Sequence, residues 1–232
     1  MKKIDTYKKQ AALAAIAEIK KGMVLGIGHG STVHFAIQGL AKLIGSGELT
    51  DIVVIPCSKK SHRKSENAGI TVVEFNSRQK IDIMIDGADE IDPSFNLIKG
   101  GGGALLREKI LAQASERVII IADHQKLSPK LGTSFSLPLE ISEFGWDHQI
   151  EFIQSLGGKA ELRKQDNDKI VLTDQRNYLL DCNFGAIDDL KDMARKLEKR
   201  AGILEHGLFL NLASDVIVAG PDGIQHHRNL RD

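Results

Sequence analysis

Short apolar segments that alternate with helical patterns constrain the fold of this chain more than any other feature. Helices are indicated where apolar residues recur on one side, as in 5–21, 32–44 and 104–114, and a polar helix is predicted at 58–68. Between them lie runs with the composition of buried strands, namely 23–27, 51–56, 70–75, 81–85 and 117–122. Strands that alternate with helices form parallel βαβ units. The pattern therefore predicts an α/β fold with a doubly wound, mostly parallel sheet.

The pattern of apolar and polar residues changes after Gly132. The patterns that follow predict strands and helices in a β-α-β-β-α-β order, at 137–141, 146–156, 159–163, 170–181, 188–201 and 208–211. This order fits a small ferredoxin-like α+β unit. Residues 215–219 then return to the buried-strand pattern, and we expect the polar tail 225–232 to be frayed. We therefore predict an α/β catalytic domain of 1–131 plus 208–232, with an inserted α+β domain of 132–207.

Charge and cysteine content exclude several classes of protein. The 31 basic and 31 acidic residues balance, which argues against a general binder of nucleic acid or anionic membranes. No apolar run approaches the roughly 20 residues that span a bilayer, and the N-terminus has the pattern of an amphipathic helix rather than a secretory leader. Cys57 and Cys182 lie far apart without metal-ligand spacing, which argues against a disulfide framework and favours the cytoplasm.

An acidic cluster follows the strand predicted at 81–85. Its members are Asp86, Asp89, Glu90 and Asp92. Ligands of open parallel sheets bind at the carboxyl ends of strands, which is where Asp86 lies. Clustered carboxylates repel one another unless a ligand, a cation or hydrogen bonds stabilise them. Three interpretations stay open: an acidic turn that caps backbone groups, a Mg²⁺ site, or a site in which Lys99 supplies the cation.

Lys99 precedes four consecutive glycines, Gly100 to Gly103. Such a run loses much chain entropy on folding, so we expect the backbone there to approach another group closely or to adopt positive φ. The alternative is a flexible loop. In the helix that follows, Glu108 shares an apolar stripe with its neighbours, whereas Arg107 and Lys109 point elsewhere; the stripe comprises Ala104, Leu105, Leu111 and Ala112. Burial raises the pKa of a carboxylate and suits it to act as a base, unless Glu108 reaches solvent at the stripe's edge.

The segment GIGHGST, 26–32, lies between a predicted strand and a predicted helix. Glycines there would let the backbone and the N–H groups of the helix start approach an anion, and Ser31 and Thr32 add hydroxyl donors. The alternative is a tight turn with a serine cap. A nicotinamide site is disfavoured because the GxGxxG spacing is lacking. Taken alone, Lys126 would be a surface lysine after a strand, whereas His29 lies inside the loop.

These motifs resemble ribose-5-phosphate isomerase of the A type. The resemblance rests on DGADE at 86–90, KGGGGALLREK at 99–109, the loop 26–32 and GPDG at 220–223, in order through nearly the whole chain. It implies the interconversion of ribose 5-phosphate and ribulose 5-phosphate in the non-oxidative pentose phosphate pathway. It also implies no cofactor and no metal, a sugar phosphate as the bound small molecule, and a homodimer, with tetramers also known in the family.

The resemblance also implies the roles of individual residues. Glu108 would be the base, Lys99 would stabilise the developing oxyanion, and Asp86 and Asp89 would hold sugar hydroxyls and assist ring opening. The substrate-binding set would be His29, Gly30, Ser31, Thr32, Asp86, Gly87, Ala88, Asp89, Lys99, Gly100, Gly101, Gly102 and Lys126. Lys8 matches a lysine near the phosphate. The family usually has threonine where this chain has His29.

The alternative hypothesis is a non-catalytic domain that senses a sugar phosphate. Effector-binding domains of some bacterial repressors resemble this fold. Such a regulator should carry a DNA-binding helix-turn-helix, for which residues 1–22 are too short. A sensor also has no need for Lys99 together with a buried Glu108.

Overall fold

A computed structural model describes residues 2–76 and 80–229 of the chain. The chain divides into two compact units. Unit 1 comprises Met1–Ala88, Arg107–Lys126 and Leu212–Asp232, and unit 2 comprises Asp89–Leu106 and Leu127–Asn211. These units differ from the predicted domains mainly in segment 89–106. Compact units need not fold independently of one another, so the predicted domain boundaries remain a prediction.

The secondary structure follows the predicted alternation through most of the chain. The strands are β1 (Val24–Ile27), β2 (Val53–Pro56), β3 (Ile81–Asp86), β4 (Glu90–Ile91), β5 (Leu97–Ile98), β6 (Ser115–Asp123), β7 (Leu137–Ile141), β8 (Lys159–Leu162), β9 (Tyr178–Asn183), β10 (Ile203–His206), β11 (Leu208–Phe209), β12 (Asp215–Gly220) and β13 (Gly223–Arg228). The helices are α1 (Lys3–Ile16), α2 (Ser31–Gly45), α3 (Lys59–Asn67), α4 (Leu105–Gln113), α5 (Trp146–Ser155) and α6 (Leu190–Glu198), with a 3₁₀ turn at His124–Lys126. No helix among the described residues is both long and apolar enough to cross a bilayer.

Unit 1 is built on a six-stranded sheet of order β13-β12-β6-β3-β1-β2. Five of its strands run parallel, and only β13 pairs antiparallel, at the edge beside β12. Apolar faces of α1 and α2 pack with the strands in one core, because Ala11, Ile37, Ile85 and Ile119 are all buried there. The predicted doubly wound, mostly parallel sheet is confirmed. Strand order reverses at β1, which has β2 on one side and β3 on the other.

Unit 2 contains a four-stranded antiparallel sheet of order β10-β7-β9-β8. With α5 and α6 it has the β-α-β-β-α-β order of the predicted ferredoxin-like unit, which is confirmed. A strand is found at 208–209 within the predicted 208–211, but its placement as the fourth strand of this unit was wrong, since β10 takes that place and β11 joins β5 and β4 in a separate sheet. The change occurs at Gly207, whose N–H donates to the Pro138 carbonyl and whose carbonyl accepts from Lys99 N–H.

Three other predicted segments differ from the structure. Residues 70–75 form a single parallel bridge, Val72 to Val54, rather than a strand. The strand predicted at 170–181 begins only at Tyr178, and before it Ile170 forms an isolated antiparallel bridge to Lys164. The tail is paired rather than frayed as far as Arg228, because β13 bonds to β12 after the turn at GPDG. Residues 230–232 lie outside the described residues.

An ion cluster in unit 1 links the segment after α1 to β6 and β12. Arg117 donates from Nε and Nη2 to both carboxylate oxygens of Asp215, at 2.6 and 2.7 Å, and from Nη1 to Glu18 at 2.9 Å. His226 Nε2 lies 2.7 Å from the same Asp215. Burial alone would raise the pKa of Asp215, but the hydrogen bonds and charges of Arg117 and His226 outweigh it and hold that pKa below its usual range.

Replacing Asp215 by asparagine should destabilise the fold, because the Arg117 charge loses its buried partner. Removing one member of such a pair costs on the order of 3 kcal/mol. A carboxyl group with a lowered folded-state pKa stabilises the fold above its unfolded-state pKa, and this contribution disappears as the pH falls through the folded-state pKa. Urea unfolding should therefore show a gap between wild type and D215N that is widest near neutral pH and narrows in acid.

The matched control is Asp188→Asn, which removes an exposed aspartate paired with Lys130. Its effect should be much smaller than that of D215N, since exposed pairs contribute little. Equal stability of D215N and wild type at pH 7 would contradict the assigned role of the cluster.

Candidate active site

Two neighbouring parallel strands of unit 1, β1 and β3, end side by side where the strand order reverses. Ile27 pairs with Ile85, and Gly28 N–H donates to the Ile85 carbonyl at 3.0 Å. The loop after β1 therefore lies against Asp86, the last residue of β3. In open α/β sheets, ligands bind at this reversal, outside the carboxyl ends of the strands.

Asp86 is completely buried and is held by backbone donors. Its Oδ1 accepts from His29 N–H at 3.1 Å and from Gly87 N–H at 2.7 Å. A Cβ at Gly28 would lie 1.9 Å from the same oxygen, so only glycine fits there. The glycine loop thus lies close to the Asp86 carboxylate, and the predicted approach of the loop to a bound anion remains a prediction.

Helix α2 begins at Ser31, directly after this loop. Gly30 has φ +133°, a conformation that favours glycine, and no side chain caps the helix. The first N–H groups of a helix have no acceptor within it and attract anions. Lys8 Nζ donates to Ser31 Oγ at 3.0 Å, so a lysine lies beside the helix start. Thr32 follows in the first turn and is half-buried.

His29 makes a contact that the sequence did not reveal. Its Nδ1 lies 2.8 Å from Oγ of Ser58, a buried residue that caps α3. Ser58 Oγ also accepts from Ser61 N–H at 3.0 Å, in a capping box. The serine spacing before the charged helix could have predicted the cap, but it carries no information about His29. The imidazole is therefore held in place from the neighbouring loop.

In unit 2, Asp89 is held by the glycine run. Its Oδ2 accepts from Gly101 N–H at 2.7 Å, and a Cβ at Gly101 would lie 2.7 Å from Asp89 Oδ1. Gly100 and Gly103 have φ of +107° and +76°. Close approach and positive φ are both found, as predicted for the run, so it is not the flexible loop of the alternative interpretation.

Lys99 is buried, with 3% of its surface exposed. Its N–H donates to the Gly207 carbonyl at 2.9 Å, and its ammonium lies 5.3 Å from the ring centre of Phe209. A cation over an aromatic face is attracted to the ring. Backbone and ring together position this charged side chain.

The other two acids of the cluster, Glu90 and Asp92, are held by backbone donors of their own. Glu90 accepts from the N–H groups of Gly132 and Ser134, at 2.7 and 3.0 Å. Asp92 accepts from Ser94 N–H and Asn96 N–H, each at 2.8 Å. These two acids therefore cap backbone groups. Within residues 2–76 and 80–229, no group of three or more His, Cys, Asp or Glu side chains is arranged to hold a metal ion.

Glu108 lies on α4 with 3% of its surface exposed, and the apolar stripe predicted around it is buried throughout. Lys109 is also buried, which the stripe did not predict. The reason is that α4 is covered on more than one face.

The remaining predicted site residues lie in loops and turns. Lys126 ends the 3₁₀ turn after β6 and is half-buried, and Ala88 and Gly102 lie in the loops beside Asp89 and Gly101.

The family comparison agrees with these motifs. A family model described as Ribose 5-phosphate isomerase A (phosphoriboisomerase A) matches residues 53–223. This chain belongs to that family. Ribose-5-phosphate isomerase A of Chloroflexus aurantiacus is 48% identical to it, over 96% of this chain and 93% of the relative. The probable ribose-5-phosphate isomerase 3, chloroplastic, of Arabidopsis thaliana is 43% identical, over 95% and 82%.

Solved structures of the ribose-5-phosphate isomerase family share the whole fold. That of Plasmodium falciparum has a TM-score of 0.95 and 36% identity, covering 98% of this chain and 100% of its own. Another isomerase, in complex with phospho-erythronic acid, has a TM-score of 0.95 and 35% identity, covering 97% and 99%. The chain is therefore an isomerase of this family, and the alternative of a non-catalytic sensor was wrong.

Gly28→Ala should impair the enzyme by displacing Asp86. The new methyl group cannot coexist with the present Asp86 carboxylate position, so the side chain and the His29 loop must shift. A displacement of about 1 Å in a catalytic site can cost about 10²-fold in rate. Steady-state kinetics should show such a loss in kcat/KM. Gly45→Ala is the control, since its Cβ would meet no atom within 4 Å; unchanged kinetics in G28A would contradict the prediction.

Proposed function

We propose that this chain interconverts D-ribose 5-phosphate and D-ribulose 5-phosphate through a cis-enediolate, with Glu108 carrying the proton. The burial of Glu108 on α4, within the REK sequence that resembles the family motif, carries the proposal. Burying a carboxylate is costly, so a buried one in a motif of this kind is a candidate for chemistry. No metal or cofactor is part of the proposed reaction.

The proton transfer needs one carboxylate. Starting from the open-chain aldose, Glu108 removes the proton on C2, and the C1 carbonyl oxygen takes up negative charge. Glu108 then returns the proton to C1 of the enediolate, and the proton of the C2 hydroxyl passes to the C1 oxygen. C2 thereby becomes the carbonyl of the ketose, and C1 carries a hydroxyl group. Protons and electrons balance without an external reactant. A positioned base of this kind contributes roughly 10²–10⁴-fold in rate.

Lys99 stabilises the oxygens of the enediolate in this proposal. A preorganised charge is most effective where negative charge develops, because it needs no rearrangement during the reaction. The contacts of Lys99 with Gly207 and Phe209 support such preorganisation. Asp86 and Asp89 hold sugar hydroxyls and assist ring opening; their backbone donors fix both carboxylates in place.

The phosphate binds at the start of α2. The helix N-terminus, the Ser31 and Thr32 hydroxyls and Lys8 together supply the donors and the positive charge that a phosphate requires. Lys126 and His29 belong to the same proposal through the family resemblance. The related isomerase solved with phospho-erythronic acid supports a sugar phosphate as ligand.

Glu108→Gln and Lys99→Met should each nearly abolish turnover with the fold intact. The assay mixes ribose 5-phosphate with enzyme in deuterated water and EDTA, and follows ketose formation and deuterium on the carbon next to the carbonyl. E108Q should lose both signals by about 10²-fold or more. Exposed Glu116→Gln is the control. Wild-type turnover in E108Q would refute the proposed base, and loss of wild-type activity in EDTA would revive the Mg²⁺ interpretation.

The same assay separates the phosphate end from the reacting end. Ser31→Ala and Lys126→Met should raise KM more than they lower kcat, because phosphate contacts persist from the bound substrate to the transition state. Inorganic phosphate should compete with substrate in the wild type and compete less well in these variants. A change confined to kcat would place these residues outside the phosphate site.

We further propose a homodimer, a cytoplasmic location and a role in the non-oxidative pentose phosphate pathway, all implied by the family resemblance. Phe144 in unit 2 supports self-association, since 92% of its surface is exposed and aromatic residues are enriched in interfaces. Sedimentation should give about twice the chain mass of 25.4 kDa, and Phe144→Ser should weaken the association. A monomeric wild type at assay concentration would exclude the homodimer.

A further inference from the structure

We propose that Arg163 is a positioning residue for the isomerase reaction, which acts by fixing the peptide group between Gly100 and Gly101. The N–H of this peptide holds Asp89, and its carbonyl is held by Arg163. The inference rests on the proposed role of Asp89 in binding sugar hydroxyls. All of the residues involved belong to unit 2.

The peptide is held at both of its polar ends. Its N–H, on Gly101, donates to Asp89 Oδ2 at 2.7 Å. Its oxygen, on Gly100, accepts from Arg163 Nη1 at 2.9 Å and from Gly103 N–H at 3.0 Å. The same Arg163 nitrogen also donates to the Gly101 carbonyl at 3.2 Å. Arg163 therefore determines which way the N–H points, and the N–H in turn determines where the Asp89 carboxylate lies.

Arg163 is itself rigidly anchored. Its Nε donates to Asp181 Oδ2 at 2.8 Å, and its Nη2 donates to the other carboxylate oxygen. Its backbone N–H donates to the Leu179 carbonyl at 2.8 Å, and its carbonyl accepts from Val171 N–H. Only 14% of the side chain is exposed. A planar guanidinium can bind a carboxylate on one edge and carbonyls on the other, which a lysine cannot do.

The glycine run explains why such an external contact is needed. The Asp89 carboxylate occupies the space that a side chain at Gly101 would need. The positive φ of Gly100 favours glycine at position 100. Consecutive glycines, however, have access to many backbone conformations, including those in which the central peptide is flipped. A flip of the 100–101 peptide would turn its carbonyl towards Asp89 and its N–H towards Arg163. The Arg163 charge opposes that orientation and favours the observed one.

A double-mutant cycle tests the inference. Wild type, Arg163→Met, Asp89→Ala and the double variant are compared for kcat and KM below their unfolding temperatures. R163M should lower kcat about tenfold in the wild-type background, and less than twofold in the D89A background, because its effect passes through Asp89. Arg195→Met is the control; it removes an exposed arginine from an ion pair with Asp192 and should leave kcat unchanged.

The outcomes separate this inference from the proposed function. Equal losses caused by R163M in both backgrounds would show a general structural effect and overturn the role of Arg163 alone. Wild-type kcat in D89A would overturn the proposed role of Asp89 and the inference with it. Asp181→Asn and Arg163→Lys provide milder variants should R163M unfold.

Amide exchange of Gly101 gives a readout that is independent of activity. Selective ¹⁵N-glycine labelling makes this amide observable, and it should exchange at least tenfold faster in R163M and R163K than in wild type. Restored exchange protection and kcat in R163K would contradict the requirement for the guanidinium fork.

Discussion

The approach of Gly28 to Asp86 is the contact on which the arrangement of unit 1 depends. Parallel pairing of β1 with β3 brings the two strand ends together, but the loop can follow only because Gly28 has no side chain. The Asp86 carboxylate occupies the space that a Cβ would need, and it accepts the next N–H along the loop. This fixes the direction in which the chain enters α2, and thus the direction of the free N–H groups at Ser31.

A similar contact occurs in unit 2, where the lack of a side chain at Gly101 allows Asp89 to accept a hydrogen bond from the Gly101 N–H. Backbone donors of this kind explain how four acids within seven residues coexist in the folded structure. Each acid accepts hydrogen bonds from its own backbone donors, and these amide dipoles stabilise its negative charge. The acids and their donors are Asp86 with His29 and Gly87, Asp89 with Gly101, Glu90 with Gly132 and Ser134, and Asp92 with Ser94 and Asn96.

Sequence patterns predicted the elements with a helical period or a continuous apolar run over several residues, such as α2, α6 and β6. They failed where tertiary pairing decides the structure. The two-residue strands β4 and β5 are too short to show a period. Residues 70–75 have the composition of a strand but form only the Val72–Val54 bridge with β2. The apolar stripe of α4 predicted the burial of Glu108, but the burial of Lys109 depends on a second face of the helix.

The site residues that sequence missed are those that act on other residues rather than on a ligand. Ser58 and Arg163 belong to unremarkable polar segments, and their contacts with His29 and Gly100 span 29 and 63 positions. No local pattern encodes a pairing at that distance. Glycine-rich motifs, by contrast, are visible in sequence because close approach demands a specific residue type.

Glycine lets the backbone approach another group closely, but it does not hold the backbone in one conformation. A glycine-rich site therefore requires other groups that fix its backbone. A catalytic arrangement must be held to within a fraction of an ångström by groups that are themselves fixed. At the start of α2, the helix and the buried Asp86 supply that constraint. In the glycine run no helix follows until Leu105, so the constraint comes from outside, through the Arg163 guanidinium and the turn closed by Gly103. The proposed role of Lys99 depends on the same kind of constraint, since a charge fixed by a backbone hydrogen bond and an aromatic ring needs no reorientation when negative charge develops nearby.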